Sequence, residues 1–239
     1  MNIYHYTRFD SVKLMLTNEG INIRAYHYSK YGDDDYKWTK DIVTPVIEEI
    51  CAEKGWYFDL EDPVDPFLIS FCKCENSDYM WNHFDRDPSG VALILDRALI
   101  AKHANKDLNP GAFMDCIYTD NKDEMKSFLI GLGWNNYTVE TINDQQGDLK
   151  DISIFIIKPG FREEIECRYV IPHRKITSIS SDGDFSEEEI GKMDYREVVF
   201  PKEAIVGISI GPQSDVEPEE ILEILKQNNY SDKVEVNKV

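Results

Sequence analysis

Carboxylates alternate with apolar residues in the segment F-R-E-E-I-E-C-R-Y-V-I, residues 161–171. Read as an extended strand, it sets Glu164, Glu166 and Arg168 on one face. Ile165, Cys167 and Tyr169 fall on the other, because strand side chains alternate with period two. Facing water, the glutamates would belong to an ordinary half-exposed strand. Facing a cleft, they would be two carboxylates about 7 Å apart on a rigid element, a good mount for chemistry. One could orient a substrate nucleophile while the other stabilises a developing cation or takes a proton. The competing reading is a surface ladder in which Glu164 pairs with Arg162 or Arg168.

Two other places carry chemistry-bearing side chains. In Y-H-Y-T, residues 4–7, His5 sits inside the first strand. Its imidazole could hydrogen-bond a ribose or a carboxamide, or serve only the strand itself. In I-S-F-C-K-C-E-N-S-D-Y-M-W-N-H-F, residues 69–84, a buried strand runs into an aromatic helix. Ser70, between Ile69 and Phe71, bonds to backbone or points into a pocket. Met80, Trp81 and Phe84 share a helix face, which is a core pattern first; Trp81 as a stacking wall for a base is the sharper reading.

These groups need elements to hold them. The pattern gives strands at 2–6, 21–25, 67–72, 91–96, 113–118, 164–171, 195–200 and 204–210. Helices are expected at about 9–19, 41–54, 77–84, 97–104, 123–132 and 218–228, with Gly20 and Gly55 as stops and Pro218 opening the last. Residues 151–160 are ambiguous: β-branched content favours a strand, but the spacing of Ile152, Phe155 and Ile156 tips the reading to a helix. Residues 26–39 read as an aromatic polar loop suited to a lid, and 178–194 as an acidic loop. No repeat or linker divides residues 1–239. The expectation is one α+β domain with strands scattered among helices rather than in βαβ alternation.

The 239 residues are 42% hydrophobic and 12% aromatic, which places the chain among globular proteins. No apolar run approaches a membrane span, and the N-terminus lacks the regions of a signal peptide, so a cytoplasmic protein is expected. The net charge of −19, from 45 acidic and 26 basic residues, argues against bulk binding to a phosphate backbone. It leaves room for a basic partner protein or a single-stranded segment passing aromatic residues. Cys51, Cys72, Cys74, Cys116 and Cys167 are an odd set without C-x-x-C, and no cysteine or histidine pair with zinc spacing accompanies C-K-C. No metal is expected. The common phosphate cradles and hydrolase signatures are missing too.

Taken together, Y-H-Y-T, I-S-F-C…M-W-N-H-F…G-V-A-L-I-L-D, F-R-E-E-I-E-C-R-Y-V-I and V-V-F-P-K-E-A-I-V-G-I-S-I-G form an ordered set. It resembles a large bacterial domain-of-unknown-function family with Y-H-Y-T, S-F-S…M-W, E-x-E-W-R and a final I-x-x-I-x-x-G strand. The departures are Cys72 for the second serine, Phe84 for a tyrosine and Cys167 for the tryptophan. The family's N-D-P-F-E segment has no counterpart, which leaves residues 26–40 unassigned. The order His, Ser, E-x-E is similar to ADP-ribosyltransferases, which hold NAD between two small twisted sheets without a Rossmann motif. The resemblance implies mixed, mostly antiparallel split sheets with flanking helices. It implies NAD as substrate, bound by His5, Tyr6, Thr7, Ser70 and Trp81. Glu166 would stabilise the oxocarbenium-like transition state, and Glu164 would orient a nucleic-acid or protein acceptor. A toxin–antitoxin or phage-defence setting, with an antitoxin as a possible partner, is implied as well. The alternative is a non-catalytic module that recognises a phage or host protein. An enzyme requires His5, Ser70 and Glu166 to converge on an open pocket. A binding module predicts glutamates bridged to arginines and a filled cleft.

Overall fold

The computed structural model describes residues 1–28, 37–55, 66–75, 77–84, 89–104, 112–131, 153–171 and 194–239. It is a mixed α+β structure. Among the described residues, its main sheet has nine strands: β1 (Asn2–Arg8), β2 (Ile21–His27), β3 (Phe67–Cys72), β4 (Gly90–Asp96), β5 (Ala112–Asp115), β8 (Glu166–Ile171), β9 (Tyr195–Phe200), β10 (Ile205–Ile210) and β11 (Glu235–Lys238). A second, two-stranded sheet pairs β6 (Ile117–Tyr118) in parallel with β7 (Ile156–Ile157). Among the described residues, six α-helices flank them: α1 (Phe9–Met15), α2 (Thr44–Lys54), α3 (Asp78–Phe84), α4 (Arg97–Ala104), α5 (Lys122–Gly131) and α6 (Pro218–Gln227). None of the described helices is long and apolar enough to cross a membrane.

The central strand is β3. One edge pairs antiparallel with β8 along its whole length, from Phe67↔Ile171 to Cys72↔Glu166. The other edge is shared. Phe67 and Leu68 pair with His27 and Tyr26 of β2, whereas Cys72 pairs with Tyr4 of β1. Two arms therefore leave β3: β2–β9 on one side of a fork, and β1–β4–β10–β11 on the other. Apart from the parallel β10–β11 pair, every pairing in this sheet is antiparallel. The split arrangement implied by the resemblance takes this form, a single sheet forked at β3.

The two faces differ in kind. Ile3, Ile23, Phe67, Ile69, Phe71 and Tyr169 turn to the main core, which α1, α4 and α6 cover through Val12, Ile100, Ile221 and Leu225. The opposite face carries Tyr4, Tyr6 and Cys72 under Trp81 of α3. Further along, Leu68 and Val170 pack with Phe155, and α2 and α5 close a smaller cluster through Ile47, Ile50, Met125 and Leu129. Apolar residues at alternate strand positions account for this two-sided packing.

Most expected elements are present. Gly55, at φ 72°, ends α2 in the left-handed conformation its sequence position announced. Pro218 opens α6, and Glu217 and Glu220 form a reciprocal cap around it. Four readings need correction. The strand expected at 164–171 begins only at Glu166; Pro159–Glu164 is a 3-10 turn. Of the helix expected across 151–160, residues 151–152 lie outside the described residues, and Ile156–Ile157 is a strand because Ile117 and Tyr118 offer it a parallel partner. The single strand expected at 113–118 is two, since Met114 and Asp115 pair with β8 while Ile117 and Tyr118 join the other sheet. The C-terminal strand β11 was not anticipated. Most of the loops expected at 26–39 and 178–194 lie outside the described residues, although Tyr26 and His27 belong to β2.

Gly20 joins α1 to β2 and sets the arm that bounds the fork. A Cβ there would lie 2.3 Å from the Phe200 carbonyl oxygen and 2.9 Å from Val199 Cγ1. The Gly20 carbonyl also accepts hydrogen bonds from the hydroxyls of Thr17, at 2.9 Å, and Tyr230, at 2.8 Å. Gly20→Ala is expected to cost about 1–3 kcal/mol, as overpacking against backbone does. A lowered urea midpoint checks this; an unchanged midpoint would mean that the β2–β9 arm yields freely.

Candidate active site

Where the arms diverge, Ile69, Ser70 and Phe71 lack a strand partner on one edge. His5 reaches into this gap and stacks obliquely on Phe71, with ring centroids 5.7 Å apart. Its Nδ1 lies 3.2 Å from the Ser70 carbonyl oxygen. A carbonyl only accepts, so Nδ1 carries the proton, and Nε2 of the neutral ring is left as an acceptor. Burial pushes the His5 pKa below 6.5, and the hydrogen bond to the Ser70 carbonyl opposes that shift.

The fork opens into a cavity of about 660 Å³. Tyr4, His5, Tyr6 and Thr7 of β1 line it, with Ser70 of β3, Glu164 and Glu166. The structure thus brings together every sequence-derived candidate except Trp81. That indole is 4% exposed and packs edge-on against Tyr6 at 4.7 Å between centroids, in the core position that was the plainer reading of its spacing. Tyr6 itself is spent on structure: its hydroxyl donates to the Cys74 carbonyl at 3.3 Å and accepts from the Ser77 amide at 3.2 Å. Burial raises its pKa.

The two glutamates are not the strand pair the pattern suggested. Glu164 closes the 3-10 turn and is half-buried at the cavity. Ile165 follows at φ 44°, left-handed and 42% exposed, an uncommon conformation for a β-branched residue. Glu166 opens β8 and is 3% exposed. Both its carboxylate oxygens are engaged by Arg168, from Nε at 2.9 Å and from Nη2 at 3.1 Å. The remaining Arg168 nitrogen donates to the Ile154 carbonyl. The Glu166 amide donates to the Tyr118 hydroxyl at 2.6 Å, and its carbonyl accepts from the Cys116 amide at 3.0 Å. Burial works against the Arg168 charge, but Glu166 beside it holds the guanidinium firmly protonated. The same-face placement of Glu166 and Arg168 was legible in the sequence; the buried, bidentate pairing was not.

Sequence reasoning missed the opposite wall. Asn22, Arg24 and Tyr26 of β2 line the cavity, as do Asp194 and Glu197. Arg24 lies 4.2 Å over the Tyr195 ring, and the Asn22 side-chain oxygen is buried without a hydrogen-bond partner. Alternation in I-N-I-R-A puts these polar residues on one face, but nothing in the sequence says that this face meets Ser70. Among the described residues, no cluster of histidine, cysteine, aspartate and glutamate is arranged to hold a metal.

No family model and no curated protein matches this chain. Two solved structures resemble it, both of DarT from Thermus sp. 2.9: one in complex with ADP-ribosylated ssDNA, the other with carba-NAD+. Identity is 16% and 15%, coverage is 100% of this chain and 93% and 95% of theirs, and the TM-score is 0.41 for both. At that level the likeness carries no argument about chemistry.

The His5 environment has a pH signature. With a folded pKa below the unfolded 6.5, the unfolded chain takes up the proton first as pH falls. Stability contributed at this site is therefore lost as pH drops below about 6.5, by at most about 1.4 kcal/mol per pH unit. His5→Asn retains a donor for the Ser70 carbonyl and removes the titration. In urea unfolding, the advantage of wild type over His5→Asn should be larger at pH 7.5 than at pH 5.5. An advantage that is the same at both would contradict the assigned neutral ring.

Proposed function

We propose that this chain is an NAD-dependent ADP-ribosyltransferase, or an NAD glycohydrolase, that holds the dinucleotide in the fork of its sheet. The observation that carries the reading is convergence. His5, Ser70, Glu164 and Glu166 come from four separate elements, occur in the motif order of such enzymes, and line one open cavity of about 660 Å³. That volume falls in the usual range for small-molecule sites.

The chemistry follows from charge. As the bond between nicotinamide and ribose breaks, its electron pair leaves with nicotinamide and positive charge grows on the ribose. Fixed carboxylates stabilise that charge without reorganising. Arg168 engages both Glu166 carboxylate oxygens, and each has a second lone pair that can accept from a ribose hydroxyl. The Glu166–Arg168 pair is neutral as a unit, and Glu164 adds a second carboxylate at the reacting end. Glu164 also orients the acceptor and takes its proton. His5, donating through Nδ1 to the chain, offers Nε2 to a ribose hydroxyl. The acceptor is a nucleic acid or a protein, in a cytoplasmic toxin–antitoxin or phage-defence setting, with residues 1–239 acting as one domain.

One observation favours a second reading, a non-catalytic binding module: Glu166 is buried and already bridged to an arginine. Nicotinamide release from NAD separates the two. Wild type should release it, Glu166→Gln and Glu164→Gln should each lose at least about 100-fold, and His5→Asn should lose less. Glu166→Gln leaves Arg168 with an uncompensated buried charge and could cost about 3–5 kcal/mol, so circular dichroism must accompany it. The same control accompanies Glu164→Gln. No release by wild type, with or without cell lysate as acceptor, would leave the binding module.

A further inference from the structure

The β2–β9 arm has features that bond cleavage at the ribose does not use. Tyr26 lies directly opposite Leu68 of β3 and opposite Tyr195 of β9. Both tyrosines stand out from the sheet, 42% and 37% exposed, with ring centroids 6.0 Å apart and planes inclined at 58°. Tyr26 lines the cavity and Tyr195 stands beside it, so this end of the wall offers an aromatic face on which a ring can stack. Arg24 lies between this pair and the reacting end. Among the described residues lining the cavity, it is the one arginine or lysine, set against Glu164, Glu166, Asp194 and Glu197. Its guanidinium rests on the Tyr195 ring at 4.2 Å, which fixes its plane and leaves its edge donors free for planar recognition of an anion.

Register turns these features into a sequence of subsites along one face. Glu166 pairs with Cys72, and Tyr26 pairs with Leu68, four residues further along β3. The two levels are therefore roughly 13 Å apart along the strand. Extending the β2–β3 register sets Arg24 level with Ser70, midway between them. Alternation puts Glu166, Ser70, Arg24 and Tyr26 on the same face. A carboxylate end, a cation in the middle and an aromatic end are the order in which a dinucleotide presents a ribose that turns cationic, a pyrophosphate and a purine.

We propose that the β2–β9 arm is the purine-nucleotide end of the site: Arg24, braced by Tyr195, holds phosphate, and Tyr26 stacks the adenine. This rests on the NAD reading but assigns binding groups that cleavage itself does not need. The arm's own acidic residues, Asp194 and Glu197, oppose non-specific anions, so base stacking and phosphate pairing are required together.

Adenosine monophosphate serves as a probe that needs no catalysis. Isothermal titration should detect its binding to wild type and to Glu164→Gln, with at least a tenfold weakening in Arg24→Gln and in Tyr26→Ala. Tyr26→Phe should bind like wild type, since stacking needs the ring and not the hydroxyl. Nicotinamide release then gives an independent arm: Arg24→Gln and Tyr26→Ala should raise KM for NAD while leaving KM for nicotinamide mononucleotide, which lacks the adenylate half, unchanged. Binding of adenosine monophosphate with no nicotinamide release would overturn the enzyme reading and leave the subsite standing. Release with no adenylate binding, or adenylate binding indifferent to Arg24 and Tyr26, would overturn the subsite. If only the binding of a single-stranded oligonucleotide falls in the variants, the arm serves an acceptor base and the proposal fails.

Discussion

A strand has two hydrogen-bonding edges, and one edge cannot serve two strands at the same level. In this protein β1 and β2 both claim the same edge of β3 and divide it, Cys72 going to one and Phe67 with Leu68 to the other. Everything else about the site depends on that division. The backbone left over at Ile69–Phe71 would be a liability if buried without partners, and His5 answers part of the demand by donating to the Ser70 carbonyl. The opening between the arms is the cavity. The main core under Phe71 and Tyr169 braces the floor from behind, so the fork is held open by packing on the far side of the sheet.

A second constraint sits on the other edge of β3. Glu166 and Arg168 are buried together, and an ion pair removed from water is favourable only when its remaining hydrogen bonds are met. Here Arg168 also reaches the Ile154 carbonyl, and the Glu166 backbone is tied to Tyr118 and Cys116, while the second lone pairs of the carboxylate stay open. These ties join the main sheet to the small β6–β7 sheet. The pair therefore has a structural role whether or not Glu166 meets a substrate. Glu164 lies outside this pair. It ends a short turn and is followed by a β-branched residue in a left-handed conformation, the kind of local strain that persists where surrounding structure enforces it.

Much of the architecture was legible because alternating apolar residues and cap residues report local structure directly. Strands 67–72, 195–200 and 204–210 and the helix opened by Pro218 are examples. What failed was whatever depended on a distant partner. Ile156 and Ile157 become a strand only because Ile117 and Tyr118 lie beside them. Glu164 leaves the strand pattern of its neighbours because Pro159 and Gly160 start a turn that runs up to it. The site was half legible. His5, Ser70 and the glutamates carry motif order, and their cavity exists. Arg24, Tyr26 and Asn22 carry none, since a strand's pattern says which residues share a face and not what that face meets.

We propose above that the fork between β1 and β2 holds NAD with its reactive ribose at the glutamate end. The measurement that tests it most directly is a crystal structure of the protein with a non-hydrolysable NAD analogue. The analogue is expected within the fork, with its nicotinamide ribose within hydrogen-bond reach of His5 Nε2 and the Glu166 carboxylate and with Ser70 against its surface. An analogue bound elsewhere, or a fork closed by its own side chains at saturating analogue, would contradict it.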